Sequence, residues 1–222
     1  MPPPIPPPVP PTPTSHQTPD CDPKYPSSIK NPDCTPSPGC ADIPLVHGWQ
    51  IISFNCVGNA FQSFDMLNSV RFKTNDKILS REQGLQVASY DGTAWQGSLV
   101  NQGFTYARGY KVFFAGKAGS IIRQSGGAQL PVEDVVMSTG WNWIGHAPLK
   151  SYGINSGITT VGSEKFTADD QIKTRSGSNA EFTNYDGSMF QGSLSELKPG
   201  VGYEVRVQQA VRFRYTNLPP VG

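Results

Sequence analysis

Cysteine does not occur after residue 56, and after residue 44 proline is scarce: the last 178 residues hold five of the 21 prolines. Net charge is nearly absent, at +1 with 18 basic and 17 acidic residues. That balance lacks the electrostatic footprint that nucleic acid or an anionic membrane requires, so neither partner is expected. No apolar run approaches the roughly 18 residues of a membrane helix, which excludes helical insertion. The opening Met-Pro-Pro-Pro-Ile-Pro is not a basic-then-apolar signal, and the expectation is a fragment of a longer chain. Asn-x-Ser/Thr sequons are missing. The three histidines, His16, His47 and His146, share no repeat position and no motif with a nucleophile. Ser98 and Ser193 lack the Gly-x-Ser-x-Gly elbow and read as turn residues, so no enzyme is expected.

What is present is a repeat. Gly48-Trp49-Gln-Ile-Ile is answered by Gly140-Trp141-Asn-Trp-Ile, and Phe72 to Ile78 by Phe166 to Ile172. Tyr90-Asp91-Gly92-x-x-Trp95-Gln-Gly-Ser-Leu is answered by Tyr185-Asp186-Gly187-x-x-Phe190-Gln-Gly-Ser-Leu, and Gly109-Tyr110-Lys-Val by Gly202-Tyr203-Glu-Val. The offsets are 92, 94, 95 and 93, so four matches keep one order with little drift. Two copies of one unit are therefore expected, over 41–126 and 132–217, behind a leader of residues 1–40. The connection between them, Ser125 to Pro131, is short enough that the copies are expected to pack together.

The leader holds the run PPPIPPPVPPTPT. Proline fixes its own φ and disfavours helix before it, so the expectation is an extended polyproline II spacer, rising ~3.1 Å per residue. An SH3- or WW-type ligand is the alternative. Cys21, Cys34, Cys40 and Cys56 lie in or next to this loop-rich sequence, and an even count fits two disulfides. Of three possible pairings, Cys21–Cys34 with Cys40–Cys56 is favoured, because Cys56 belongs to the first copy and a bridge to it would pin the leader. A zinc site lacks both Cys-x-x-Cys spacing and a neighbouring histidine. Disulfides imply an oxidising, extracellular or cell-surface setting.

Within each copy the apolar residues follow a period of two. Tyr203, Val205 and Val207 alternate with Glu204 and Arg206, and Val211 to Tyr215 alternate again. Trp49 to Phe54, Asp76 to Arg81 and Gly84 to Tyr90 read as further strands. Asp91-Gly92 and Asp186-Gly187 predict tight type I′ hairpins. A single helix is expected, over Ala60 to Val70, where Phe61, Phe64, Leu67 and Val70 share a face. Each copy is thus read as a small all-β barrel or sandwich.

Trp49, Trp141 and Trp143, inside strand-like runs, are expected in the core of units this small. Asp76, Asp91, Asp170 and Asp186 are read as turn-formers, because one calcium needs six to eight oxygens and no dense carboxylate cluster exists; no metal or cofactor is expected. Trp95 and Phe190 follow a hairpin turn at the same place in both copies. Either they are core or, with Tyr90 and Tyr185 nearby, they form a platform on which a sugar or other partner stacks.

The motifs Gly-Trp-Asn-x-Ile-Gly, Asp-x-Ile-Lys-Thr and Gly-Ser-Leu-x-x-Leu-x-Pro-Gly-x-Gly-Tyr-x-Val resemble a repeat that recurs in large secreted and surface-attached proteins of bacteria and algae, and the leader resembles the hydroxyproline-rich, O-glycosylated stalks of walled algae. The first copy departs from the pattern. Gln50 stands for Asn142, and Asn101-Gln-Gly-Phe for the Leu-x-Pro-Gly turn, so that loop should be less regular. The resemblance implies a non-catalytic structural or adhesive pair within a larger surface, wall or fibre glycoprotein. Its partners would be other extracellular proteins, copies of itself or wall polysaccharide. The alternative is a carbohydrate-binding unit using the repeated hairpin aromatics.

Overall fold

The computed structural model describes residues 40–56, 64–81, 84–106, 108–124 and 134–216. The proline-rich run, Cys21, Cys34, Phe61 and the 125–131 connection lie outside them. In the first half the strands are β1 (Ile43–Leu45), β2 (Gly48–Ser53), β3 (Lys77–Ser80), β4 (Gln86–Tyr90), β5 (Trp95–Gln96), β6 (Gly109–Phe114) and β7 (Ser120–Ile122). A five-residue helix, α1 (Ser98–Gln102), follows β5. The second half holds β8 (Val135–Met137), β9 (Gly140–Gly145), β10 (Tyr152–Gly153), β11 (Ile158–Thr160), β12 (Gln171–Ser176), β13 (Asn179–Tyr185), β14 (Phe190–Gly192), β15 (Glu196–Leu197), β16 (Gly202–Val207) and β17 (Val211–Tyr215). The chain is all-β.

All the strand pairings are antiparallel, and none of the described sheets closes into a barrel. The order β5-β4-β3-β6-β2 in the first half is matched by β14-β13-β12-β16-β9 in the second. Across the main sheet, β1 with β7 and β8 with β17 form separate antiparallel pairs. Ile43, Leu45 and Ile122 from the β1–β7 pair share a core with Ile52, Ile78, Val112 and Phe114 of the main sheet. Val135, Met137, Val211 and Phe213 meet Ile144, Ile172, Val205 and Val207 in the same way. Two β layers therefore enclose each core, and the two cores are separate: one is drawn from residues 43–122, the other from 135–215.

Alternation decides the faces. Tyr203, Val205 and Val207 of β16 are buried while Glu204 and Arg206 point outward, as period-two patterning requires. The described part of the predicted helix is a 3-10 segment, Phe64–Ser69, with Phe64, Met66 and Leu67 buried. The Asp-Gly turns differ from the type I′ expectation. Tyr90 pairs with Trp95 and Tyr185 with Phe190, so each loop has four residues, not two. Gly92 and Gly187 take φ values of 107° and 103°, a region that favours glycine. Asp91 Oδ1 accepts from the Thr93 and Ala94 N–H groups at 2.7 and 2.8 Å, and Asp186 Oδ1 from those of Ser188 and Met189 at the same distances. The carboxylate acts together with a backbone bond, Asp91 N–H to the Ala94 carbonyl at 3.1 Å and Asp186 N–H to that of Met189 at 3.0 Å, so the enclosed pair is Gly92-Thr93 or Gly187-Ser188 instead of Asp-Gly.

Asp76 and Asp170 close turns, their N–H groups donating to the Lys73 and Thr167 carbonyls at 2.9 and 3.0 Å. Both are fully buried. Asp76 accepts from the N–H groups of Lys73 and Ala115 at 2.8 and 2.7 Å; Asp170 accepts from those of Thr167 and Gln208 at the same distances. Each carboxylate ties the entry of one strand, β3 or β12, to the end of another, β6 or β16. The phenol oxygens of Tyr110 and Tyr203 accept from the N–H groups of Thr105 and Lys198, both at 2.7 Å. This shared anchor holds two unlike loops, α1 with its irregular tail in the first half and the β15 segment in the second. Gln50 also takes over the Asn142 role: its Oε1 accepts from Val46 N–H at 2.9 Å, as Asn142 Oδ1 does from Ser138 N–H at 3.0 Å.

Candidate functional site

The hairpin aromatics face inward. Phe190 is 6% exposed, with its ring centroid 4.9 Å from Phe166 and 5.0 Å from Tyr185. Trp95 is half-buried against Phe72, Tyr90 and Phe64 at 4.8, 5.4 and 5.6 Å. Tyr90 and Tyr185 are half-buried in the same clusters. Phe190, Trp95 and Tyr185 pack against the two cores, while Trp95, Tyr90 and Tyr185 keep part of their surface in solvent. The physical cause is the four-residue loop: it sets Trp95 and Phe190 directly opposite Tyr90 and Tyr185, on the core side of the hairpin.

The tryptophans expected in the core are the exposed ones. Trp49 is 39% exposed and Trp141 36%; Trp143 is half-buried. On β9 it is Ile144 that turns into the core, so Trp141 and Trp143 lie on the outer face. Register then assembles a row of aromatic and charged groups. Trp49 stands opposite Phe113, with ring centroids 5.3 Å apart, and Phe113 opposite Lys77. Trp143 stands opposite Glu204 and Glu204 opposite Lys173; Trp141 stands opposite Arg206. Lys111 Nζ reaches across to Glu204 at 2.5 Å and lies 4.5 Å above the Trp143 ring. Lys173 Nζ lies 4.1 Å from the Trp141 centroid and 3.7 Å from Glu204. An ammonium over an indole face is drawn by the ring quadrupole. The row thus joins residues from both halves of the chain.

The halves also meet through reciprocal backbone contacts. Ile52 bridges Val201, and Arg108 bridges Ile144. In the sequence repeat Ile52 corresponds to Ile144 and Arg108 to Val201, so one contact is the counterpart of the other. Glycine makes the approach possible: a Cβ on Gly202 would sit 2.4 Å from the Ile52 carbonyl oxygen, and one on Gly109 would sit 2.8 Å from that of Ile144. Ser53 Oγ donates to the Val201 carbonyl at 2.8 Å and accepts from His146 N–H at 3.1 Å.

His146 is fully buried. Its Nε2 donates to the Lys150 carbonyl at 2.8 Å, and its Nδ1 accepts from the Tyr215 hydroxyl at 3.2 Å. Both ring nitrogens are engaged within the protein, and burial lowers its pKa from 6.5 to about 4. It is a neutral structural imidazole at pH 7. Asp91 and Asp186 are fully exposed, and the backbone N–H groups of their own loops hold each carboxyl at about 2.

Among the described residues no three His, Cys, Asp or Glu side chains come together as a metal site, and no helix is long and apolar enough to cross a membrane. Cys40 and Cys56 are joined by a disulfide. Beside it, Gln124 Oε1 accepts from the Asn55 and Cys56 N–H groups at 2.8 and 3.0 Å, and Gln124 Nε2 donates to the Ala41 carbonyl. The start and end of the first half are clamped at one point. A disulfide points to an oxidising environment, one suited to an extracellular protein. Comparison with family models, with curated proteins and with solved structures finds no match to this chain.

Proposed function

We propose that this chain is a structural or adhesive part of a larger extracellular glycoprotein, in which two copies of one β-rich unit, residues 41–126 and 132–217, are locked together and carried on a proline-rich spacer. The observation that carries the reading is the reciprocal junction. Ile52 with Val201 and Ile144 with Arg108 repeat one contact in both directions, which is how self-complementary pairing of like surfaces works. A junction sealed by backbone contact at Gly109 and Gly202 suits a rigid load-bearing or display element. The Cys40–Cys56 bridge supports an oxidising location. The engagement of both His146 nitrogens supports a non-catalytic reading.

The test is association. Sedimentation velocity on the disulfide-intact chain, with retention on defined wall polysaccharides and on immobilised copies of itself, should reveal self-assembly or retention. A folded protein that stays monomeric and is retained by nothing would remove the adhesive role.

A further inference from the structure

We infer that the tryptophan-bearing outer face of the sheet is a binding site for an acidic polysaccharide, a polymer whose sugar rings carry carboxylate or sulfate groups. The inference rests on the adhesive reading and names the surface and the partner class. Large apolar side chains left in solvent are informative in a way that an exposed lysine is not. Trp49 and Trp141 are 39% and 36% exposed, although Gln50 beside Trp49 and Ile144 on the strand of Trp141 are buried. Indole faces stack on the C–H face of a sugar ring.

Charge selects the kind of sugar. The whole chain is balanced at +1. On this face the register collects Lys77, Lys111, Lys173 and Arg206 around the aromatic groups, against Glu204 alone. Glu204 is shared between Lys111 and Lys173, so cationic charge remains in excess. Lys77 and Arg206 are exposed. Two ammonium groups are held against indoles at 4.1 and 4.5 Å, so charge and ring surface would reach a ligand as one unit. A neutral glycan would use the rings and leave the charges unused. Single-stranded nucleic acid would also use rings and charge, but the Cys40–Cys56 disulfide points to an oxidising environment and away from the cytosol and nucleus, where disulfides are rare.

The experiment titrates the full disulfide-intact chain with polygalacturonate, with a sulfated galactan, with fully methyl-esterified polygalacturonate and with a single-stranded oligonucleotide, following indole fluorescence. The acidic polymers are expected to bind, with affinity falling as salt rises, and the ester to bind at least about tenfold more weakly. Binding by one acidic polymer and not the other identifies carboxylate or sulfate as the group read. Two double variants divide the site. W49A/W141A should lose roughly tenfold in affinity, and K77Q/R206Q, at exposed positions that leave the aromatic groups alone, should flatten the salt dependence. Circular dichroism checks that each is folded. Equal affinity for the ester or the oligonucleotide, or affinity untouched by both variants, overturns the inference. A chain that binds no glycan yet self-associates overturns it and leaves the adhesive reading standing; one that does neither overturns both.

Discussion

The two halves of the chain share a frame and differ in filling. Five strands follow the same order in each. Asp76 and Asp170 are buried and accept two backbone N–H groups apiece, and Tyr110 and Tyr203 hold their loops at the same distance. The differences lie elsewhere. Phe54 in the first core corresponds to His146 in the second, and both are fully buried. Ile51, buried at the junction, corresponds to the half-buried Trp143. Positions that satisfy buried backbone groups are repeated, because an unpaired buried N–H costs more than most packing changes. Positions that only fill space are replaced with whatever volume the local surroundings accept.

The largest effect should come from breaking the junction. Gly202→Ala drives a methyl into the Ile52 backbone, whereas Gly109→Ala has slightly more room. G202A is expected to cost about 4 kcal/mol and G109A less. Denaturant unfolding followed at separate probes should then resolve two transitions where the parent chain shows one. Retention of a single transition at parental stability would mean that the halves do not depend on this approach.

Removing the clamp that only the first half possesses comes next. C40S/C56S opens a loop with a sequence separation of 16 residues and is expected to lower stability by about 3 kcal/mol. Hydrogen exchange should rise in β1, β2 and β7 and stay unchanged in β13 and β16.

Acid should separate the halves in the opposite sense. The pKa of His146 is lowered to about 4 in the folded chain, against 6.5 when exposed. Between those values the unfolded chain binds a proton that the folded chain does not, so stability falls as pH drops from about 6.5 to about 4 and is insensitive to this group above that window. The full contribution is at most about 3 kcal/mol. Thermal unfolding against pH should show this slope in the parent, and His146→Phe, which installs the first half's residue, should flatten it.

The smallest of these effects should be the same on both sides. Asp76→Asn and Asp170→Asn each keep one acceptor oxygen while turning an N–H₂ toward backbone donors. Each is expected to cost about 2 kcal/mol. Unequal costs would show that the shared frame is supported differently in the two halves.

Much of this is legible in the sequence. The alternation in β16 and β17 specified strands and the side each residue faces, and the placement of Cys56 favoured its bridge to Cys40. The outward-facing row of tryptophans was not legible. In Gly140-Trp141-Asn142-Trp143-Ile144 both parities carry apolar residues, so period two gives two faces without saying which is inside. The signal lay in the pairing partner: Glu204 and Arg206, outward by their own alternation, stand opposite Trp143 and Trp141. The packing of the hairpin aromatics was hidden for a related reason, since only the four-residue loop sets Trp95 opposite Tyr90 and Phe190 opposite Tyr185.

By itself the sequence determined the β class, the strands with a polar edge and the internal repeat, because each is written in local spacing. Tertiary structure alone decided that Asp76 reaches Ala115, 39 residues away, and that Ser53 meets Val201, 148 residues away. It also decided that the tryptophans face outward. These outcomes depend on which buried backbone groups need a partner and on how closely two strands approach at glycine, and neither quantity exists until distant segments share a core.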